Sequence, residues 1–372
     1  MDDIKQYSYW MGLAHLPRWR TQRINSLLVS ILHEKNMSLA DFFEMDRNTW
    51  PEEFDFNSKE LDDLEIAKTE LPNNSFLIED MLNQGFDFIP LNSSGYSNTL
   101  KKNLKQQYSP PLLYTKGNKQ LLQETSIAIV GSRKASDISL DFTKFIAQNA
   151  VNEFQIVVSG FAKGVDKTAL DETLNAHGRS IIVLPQGITT FSSGFKKYYS
   201  QIIDGDVLVL STFHPKVPWS VGLAMARNVY IYGLAEKIYV AESDEKGGTW
   251  SGVINGLKKE REIYVRIPGK DENNANNILL MKGAIPISND GKVGQQDETD
   301  DFEEQLKSLL NSPLSSKDIK EKLQLDINSR KLTTILSELP FIVKEKKGGK
   351  YLFSLEVNQD QQGDLFEKKH AD

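Results

Sequence analysis

Cysteine is absent from all 372 residues, which excludes disulfides, thiolate nucleophiles and cysteine-bound zinc. Histidine is scarce. His15, His33, His177, His214 and His370 stand without any i, i+3 or i+4 pairing, so no histidine-based metal site is expected, while carboxylate-bound magnesium stays open. No apolar run approaches the roughly 18 to 20 residues that a bilayer span needs. The opening MDDIKQYSYW also lacks the basic, then apolar, then small-residue pattern of a leader peptide. The chain reads as cytoplasmic, with no membrane segment and no internal repeat.

What is present is ordinary globular material: 39% hydrophobic and 26% charged side chains, enough for packed cores and a soluble surface. At about 150 residues per domain, two to three domains are expected. The net charge of -7, from 44 basic and 51 acidic side chains, argues as an average against a polyanion partner. The average hides a local difference. Residues 125–269 carry 16 Lys and Arg against 14 Asp and Glu, whereas the rest carries 28 against 37. Because salt screens surface fields beyond about 8 Å, local charge decides what binds.

Apolar positions at spacings of three and four predict a helical module over residues 1–75, with Ser58 and Asp62 near helix starts. A further helix near 76–84 leads to an apolar stretch at 86–91, and the double proline of 108–118 suggests an extended connector. From residue 126 short β-branched runs at 127–130, 156–159, 180–184, 206–210, 237–241 and 263–267 are separated by helix-length segments. That spacing predicts an α/β domain over 76–269, a doubly wound, mostly parallel sheet covered on both faces. Residues 270–300 read as a polar linker. Three helices and a hairpin turning at Gly348 and Gly349 read as a winged helix over 301–355, before a polar tail, 356–372.

In such a sheet ligands bind beyond the carboxyl ends of the strands, and four segments there carry candidate chemistry. Gly131, Ser132 and Arg133 follow the first strand. Glycine admits a phosphate to the backbone, serine donates, and arginine offers a bidentate fork. Ser159, Gly160 and Lys163 end the second strand in an anion-nest pattern, with Asp166 a candidate helix cap. Arg227 and Asn228 open an otherwise apolar helix. Lys246, Gly248 and Thr249 present a cation, amides and a hydroxyl at a helix start. Each has a plain alternative, a solvated turn or a structural ion pair, and Trp250 is read as packing ahead of base stacking.

The motifs IAIVGSRKAS (127–136), VVSGFAKGVDKTAL (157–170), ARN (226–228) with GLA (233–235), and GGT (247–249) with Gly252, preceded by PPLLYTKGN (110–118), resemble the DNA-processing protein A family, also called DprA or Smf. Their order and spacing agree over roughly 110–268, and the flanking modules extend the likeness to nearly the whole chain. The resemblance implies an extended Rossmann-like domain with an N-terminal SAM-like module and a C-terminal winged helix. It further implies a homodimer that binds and protects single-stranded DNA and loads a RecA-type recombinase in transformation and recombination. By matched positions Gly131, Ser132, Arg133, Ser159, Gly160, Lys163, Arg227, Asn228, Lys246, Gly248 and Thr249 become the DNA-binding set, with no cofactor and no catalytic residue. Leu170 replaces a family histidine, Phe191 and Ser192 replace a Tyr-Pro pair, and STFHP at 211–215 replaces Ser-Glu-x-Pro, which marks a divergent branch.

Four cations on four phosphates would grip a strand without reading its bases. The alternative is a sensor of a nucleotide-derived ligand, or an enzyme cleaving nucleoside monophosphates. The KGGTWSG loop lacks the proline and the following glutamate of such hydrolases, which leaves Glu242 as the strand-end carboxylate to test. Lys344, Lys346, Lys347 and Lys350 on the hairpin fit a DNA-contacting wing or a solvated turn equally.

Overall fold

The β-branched runs become strands wherever they alternate with helices, and two further segments join them. In chain order the strands are β1 (Asp87–Pro90), β2 (Leu112–Gly117), β3 (Ser126–Val130), β4 (Ile156–Ser159), β5 (Ser180–Val183), β6 (Val207–Ser211), β7 (Lys237–Val240), β8 (Ile263–Arg266) and β9 (Ile285–Ile287). Their order across the sheet is β1-β2-β6-β5-β4-β3-β7-β8-β9. The six strands β3 to β8 pair in parallel, and β1 and β2 extend the sheet antiparallel from β6. The computed structural model describes residues 2–269, 272–294, 305–323, 325, 328–339, 341–347 and 349–355. It is an α/β fold with a large, mostly parallel sheet and a helical N-terminus.

The parallel strands are buried along their length because helices cover both faces. Every residue of β3, β4, β5, β6 and β8 is buried. The chain winds outward from β3 through β4 and β5 to β6, then returns to place β7 on the other side of β3. The connections leaving β3 and β7 therefore diverge and open a crevice at their carboxyl ends.

Two compact units share the chain, Met1–Asn276 with Ile287–Lys292, and Asn277–Pro286 with Val293–Asp372. In the first, helices Asp2–Ala14, Thr21–Val29, Leu39–Glu44 and Ser58–Asn83 enclose Leu13, Ile31, Phe42 and Trp50. The helix Ser58–Asn83 begins at Asn57, whose side chain and Glu60 form a reciprocal capping box. It then runs unbroken through Pro72, where the sequence suggested two helices. Asn276, in the stretch read as linker, accepts the Ser243 N–H (2.9 Å) and donates to the carbonyls of Ala241 (3.0 Å) and Arg266 (2.9 Å).

The second unit has helical turns at 305–309, strand β10 (Leu314–Ser315), helices Ser316–Lys322 and Ser329–Glu338, and strands β11 (Ile342–Lys347) and β12 (Lys350–Leu355). They pack around Leu306, Leu310, Ile319, Leu332, Leu336 and Phe353. The turn residue Gly348 and the tail 356–372 lie outside the described residues. Among the described residues no helix is long and apolar enough to cross a membrane.

Behind helix Asp2–Ala14, His15 is hydrogen-bonded through Nε2 to the Tyr114 hydroxyl of β2 at 2.7 Å, and His214 meets its ring edge-on at 5.3 Å. Burial, then His214, pushes the His15 pKa from 6.5 down to about 3. The unfolded chain therefore takes up a proton that the fold refuses, so this stability is complete above pH 6.5 and is lost as the pH falls toward 3. Between pH 7.5 and 5 the wild type is expected to lose about 2 kcal/mol more in urea unfolding than His15→Gln. Parallel pH profiles for the two proteins would contradict the burial of a neutral imidazole.

Candidate functional site

The crevice between β3 and β7 is a cavity of about 440 Å³, walled by the loop after β3 (Gly131, Ser132, Arg133), by Arg227 and Asn228, and by Lys246, Gly248 and Thr249. A second cavity of about 370 Å³ adjoins it, lined by Gly160, Lys163, Phe191 and Trp219. Arg133, Ala162, Ala224 and Arg227 belong to both walls, so the two form one groove along the carboxyl ends of the strands. Of the eleven residues singled out from sequence, ten line it, and Ser159 lies beneath.

The backbone of these loops is pinned by groups that are consequently not free to bind. The Ser132 N–H donates to the Glu242 carbonyl at 2.9 Å, and the Ser132 carbonyl accepts the Val165 N–H at 3.3 Å. Gly164 has φ +77° and approaches the Ser132 carbonyl so closely that a Cβ would collide with it, which only glycine tolerates. The Thr249 hydroxyl donates to the Gly131 carbonyl at 3.1 Å, and the Ser132 Oγ accepts the Lys134 N–H at 3.1 Å. The Ser159 hydroxyl, fully buried, donates to the Asp166 carbonyl at 2.6 Å. Serine and threonine here hold the turns, and Ser159 has no path to a ligand.

Arg227 is only 3% exposed. Its Nη1 donates to the Val183 carbonyl at the end of β5 at 2.7 Å, and its Nε has no hydrogen-bond partner among the described residues. Burial lowers its pKa and Asp166 opposes that shift. Asp166 is shifted up by burial, against the pull of Arg227, the N–H groups of Ala162 and Gly160, and Arg133. The helix that follows is capped by Gly164 rather than by Asp166. Gly160 sits between the two charges, and a Cβ there would strike both the guanidinium and the carboxylate. The sequence placed Arg227 among the phosphate-gripping cations; the fold makes it the floor of the groove.

The other three cations differ. Arg133, Lys163 and Lys246 are exposed, come from three different loops, and have no ion pair among the described residues. Beside Lys246, helix Gly248–Leu257 starts at Gly247 (φ +99°) with no capping side chain, so its first-turn N–H groups lie open at the cavity wall. Asn228 packs its amide against Gly248.

Glu242 is engaged elsewhere. Its Oε2 accepts the Ser136 N–H (2.9 Å), the Ser136 hydroxyl (2.8 Å) and the Ser139 hydroxyl (2.8 Å) at the start of helix Asp137–Asn152. Carbonyl and carboxylate together clamp both ends of the segment that carries Arg133.

Sequence reading missed the apolar rim. Trp219 is 51% exposed, Val221 64% and Met225 43%, and all three line the groove. Trp219 stands just before the Ser220 helix cap, and nothing in its spacing marks it as exposed. Trp250, weighed as a stacking residue, is half-buried and outside both linings.

A family model described as DNA recombination-mediator protein A matches residues 87–296. The DNA processing protein DprA of Streptococcus pneumoniae is 33% identical over 161 residues, which is 43% of this chain and 56% of that protein. The Bacillus subtilis DNA processing protein DprA is 28% identical over 191 residues, 50% of this chain and 62% of that protein. The chain thus matches little more than half the length of these relatives. The X-ray structure of DprA from Streptococcus pneumoniae superposes with a TM-score of 0.54 at 22% identity, covering 76% of this chain and 94% of that one, a likeness of fold.

Replacing Gly160 with alanine should displace the buried guanidinium, so Gly160→Ala is expected to cost about 1–3 kcal/mol in urea unfolding. An unchanged midpoint would mean that Arg227 does not pack over this glycine.

Proposed function

The chain belongs to the DNA recombination-mediator protein A family, and we propose that its groove holds a single strand of DNA by the phosphates without chemistry on it. One observation carries this reading. Exposed cations from three separate loops, Arg133 with Lys134, Lys163 and Lys246, none of them ion-paired among the described residues, converge on one groove whose lining has one exposed acid, Asp244, in a chain whose net charge is -7. Local positive charge at such a place serves a polyanion that the rest of the surface repels. The N–H groups at the start of helix Gly248–Leu257, which has no capping side chain, add donors of the kind phosphate oxygens accept. Trp219 supplies a face on which an unstacked base can lie, which favours a single strand over a duplex whose bases are stacked inward.

Binding without catalysis is supported by the state of the two buried carboxylates at the strand ends. Glu242 accepts three hydrogen bonds at a helix start, and Asp166 lies buried against Arg227, so neither is poised as a general acid or base toward a sugar. The family resemblance supports the finer reading that the chain acts as a cytoplasmic homodimer, protects the strand and loads a RecA-type recombinase in transformation and recombination. The second unit, with its helices and hairpin around one small core, we read as a winged helix.

The test is a titration of a labelled oligonucleotide of roughly six nucleotides, short enough to occupy one groove. Three neutralised phosphates give a log–log salt slope of about -2 at roughly -0.7 each. Arg133→Ala/Lys163→Ala is expected to flatten that slope to about -0.7 and weaken binding, and duplex of the same length should bind less well. Equal affinity for duplex and single strand, or an unchanged slope in the variant, would overturn the reading.

A further inference from the structure

The helical module carries a cavity of about 460 Å³ that shares no wall with the groove. It lies between residues 17–23 and the start of helix Ser58–Asn83. Four cations, Arg18, Arg20, Arg23 and Lys59, surround it against two carboxylates, Glu60 and Asp63. Both carboxylates are engaged. Asp63 accepts from Arg18 Nη2 at 3.0 Å and from the Trp19 indole N–H at 3.1 Å, and Glu60 accepts from Arg23 Nε at 2.8 Å.

Two positive charges are left over. Arg20 and Lys59 are exposed, and neither side chain has an ion pair or hydrogen bond among the described residues. Arg20 is also the cap residue of helix Thr21–Val29, which has no side-chain cap; the Arg23 N–H turns back to the Arg20 carbonyl at 2.9 Å, which leaves the N–H groups of Thr21 and Gln22 beside it. An aromatic platform adjoins these charges. The Arg23 guanidinium lies 5.3 Å from the Trp19 ring centroid and 5.5 Å from that of Phe56, and its bonds to Glu60 and to the Asp55 carbonyl (2.6 Å) fix it there.

We propose that this cavity is a second docking point for single-stranded DNA, in which Arg20 and Lys59 each take a phosphate of the strand and Trp19, with the Arg23 guanidinium fixed beside it, supports an unstacked base. The combination argues for a nucleic-acid strand over an acidic peptide, because a run of carboxylates would use the cations and leave the aromatic surface idle, whereas a strand uses both. The proposal rests on reading the chain as a single-strand binder. Two separate sites on one protein raise the affinity of strands long enough to reach both, and leave short strands unaffected.

Strand length and salt together test it, on the full chain. Arg20→Ala/Lys59→Ala alters only exposed side chains, and its melting curve should overlay the wild type. With a single strand of about 30 nucleotides this variant is expected to lose about 1.4 from the magnitude of the salt slope, two phosphates at roughly 0.7 each. The ratio of wild-type to variant affinity then changes about sevenfold between 50 and 200 mM salt. With the six-nucleotide strand it should match the wild type. An unchanged slope on the long strand overturns the second site, as does displacement of the long strand's contribution by polyglutamate at equal charge. The groove variant Arg133→Ala/Lys163→Ala, run in parallel, keeps the two ideas apart. Failure of the second site alone leaves that variant weakened at both lengths, and failure of the groove reading leaves it unaffected at both.

Discussion

Beneath the groove, Arg227 and Asp166 face each other across the bare backbone of Gly160, and the geometry of the strand-end loops depends on this buried couple. Removing a guanidinium and a carboxylate from water is costly, and the cost is offset only by mutual attraction and hydrogen bonds. Here Arg227 reaches from helix Val221–Leu234 to the last carbonyl of β5, while Asp166 gathers the N–H groups of the turn after β4. The bonds of these two side chains to the backbone thus tie a helix, a strand end and a turn around one glycine. With the floor set, Arg133 and Lys163 stand exposed with no ion pair among the described residues, and Arg133 also helps to hold the charge of Asp166.

The division of labour follows from topology. The chain turns back after β6 to place β7 beside β3, and the crevice so formed receives the Gly131–Lys134 loop from one strand and the Lys246–Thr249 turn from the other. Glu242, just past β7, ties these two sides by its carbonyl to Ser132 and its carboxylate to Ser136. The hydroxyls, Asp166 and Glu242 are used inside the framework, and Arg133, Lys134, Lys163 and Lys246 face outward beside Asp244. Such an arrangement suits a ligand held by charge along its length better than a small substrate that must be oriented for reaction.

Much of this was legible in the residues. The six parallel strands, the helix start near Ser58 and the strand-end loops follow from periodicity, glycine placement and local capping. Other features were hidden by their dependence on distant partners. The segment of β2 reads as a connector because of Pro110 and Pro111, and becomes a strand by pairing with β1 on one side and with β6, nearly a hundred residues on, on the other. Helix Ser58–Asn83 survives Pro72 within a polar run because packing on both sides of it outweighs a local breaker. A motif shows which residues gather, not which way they face. Arg227 and Ser159 were grouped with Arg133 and Lys163, and only the packing separates the floor from the rim. The same limit concealed Trp219, whose exposure no pattern of spacing reports.

The most direct measurement is lysine acetylation footprinting of the full chain, read by mass spectrometry with and without saturating short single-stranded DNA. Lys163 and Lys246 are expected to lose most of their reactivity when the strand is bound, while exposed Lys258, outside the groove linings, keeps its own. Bound DNA with Lys163 and Lys246 still fully reactive would contradict the claim that this groove grips the phosphate backbone.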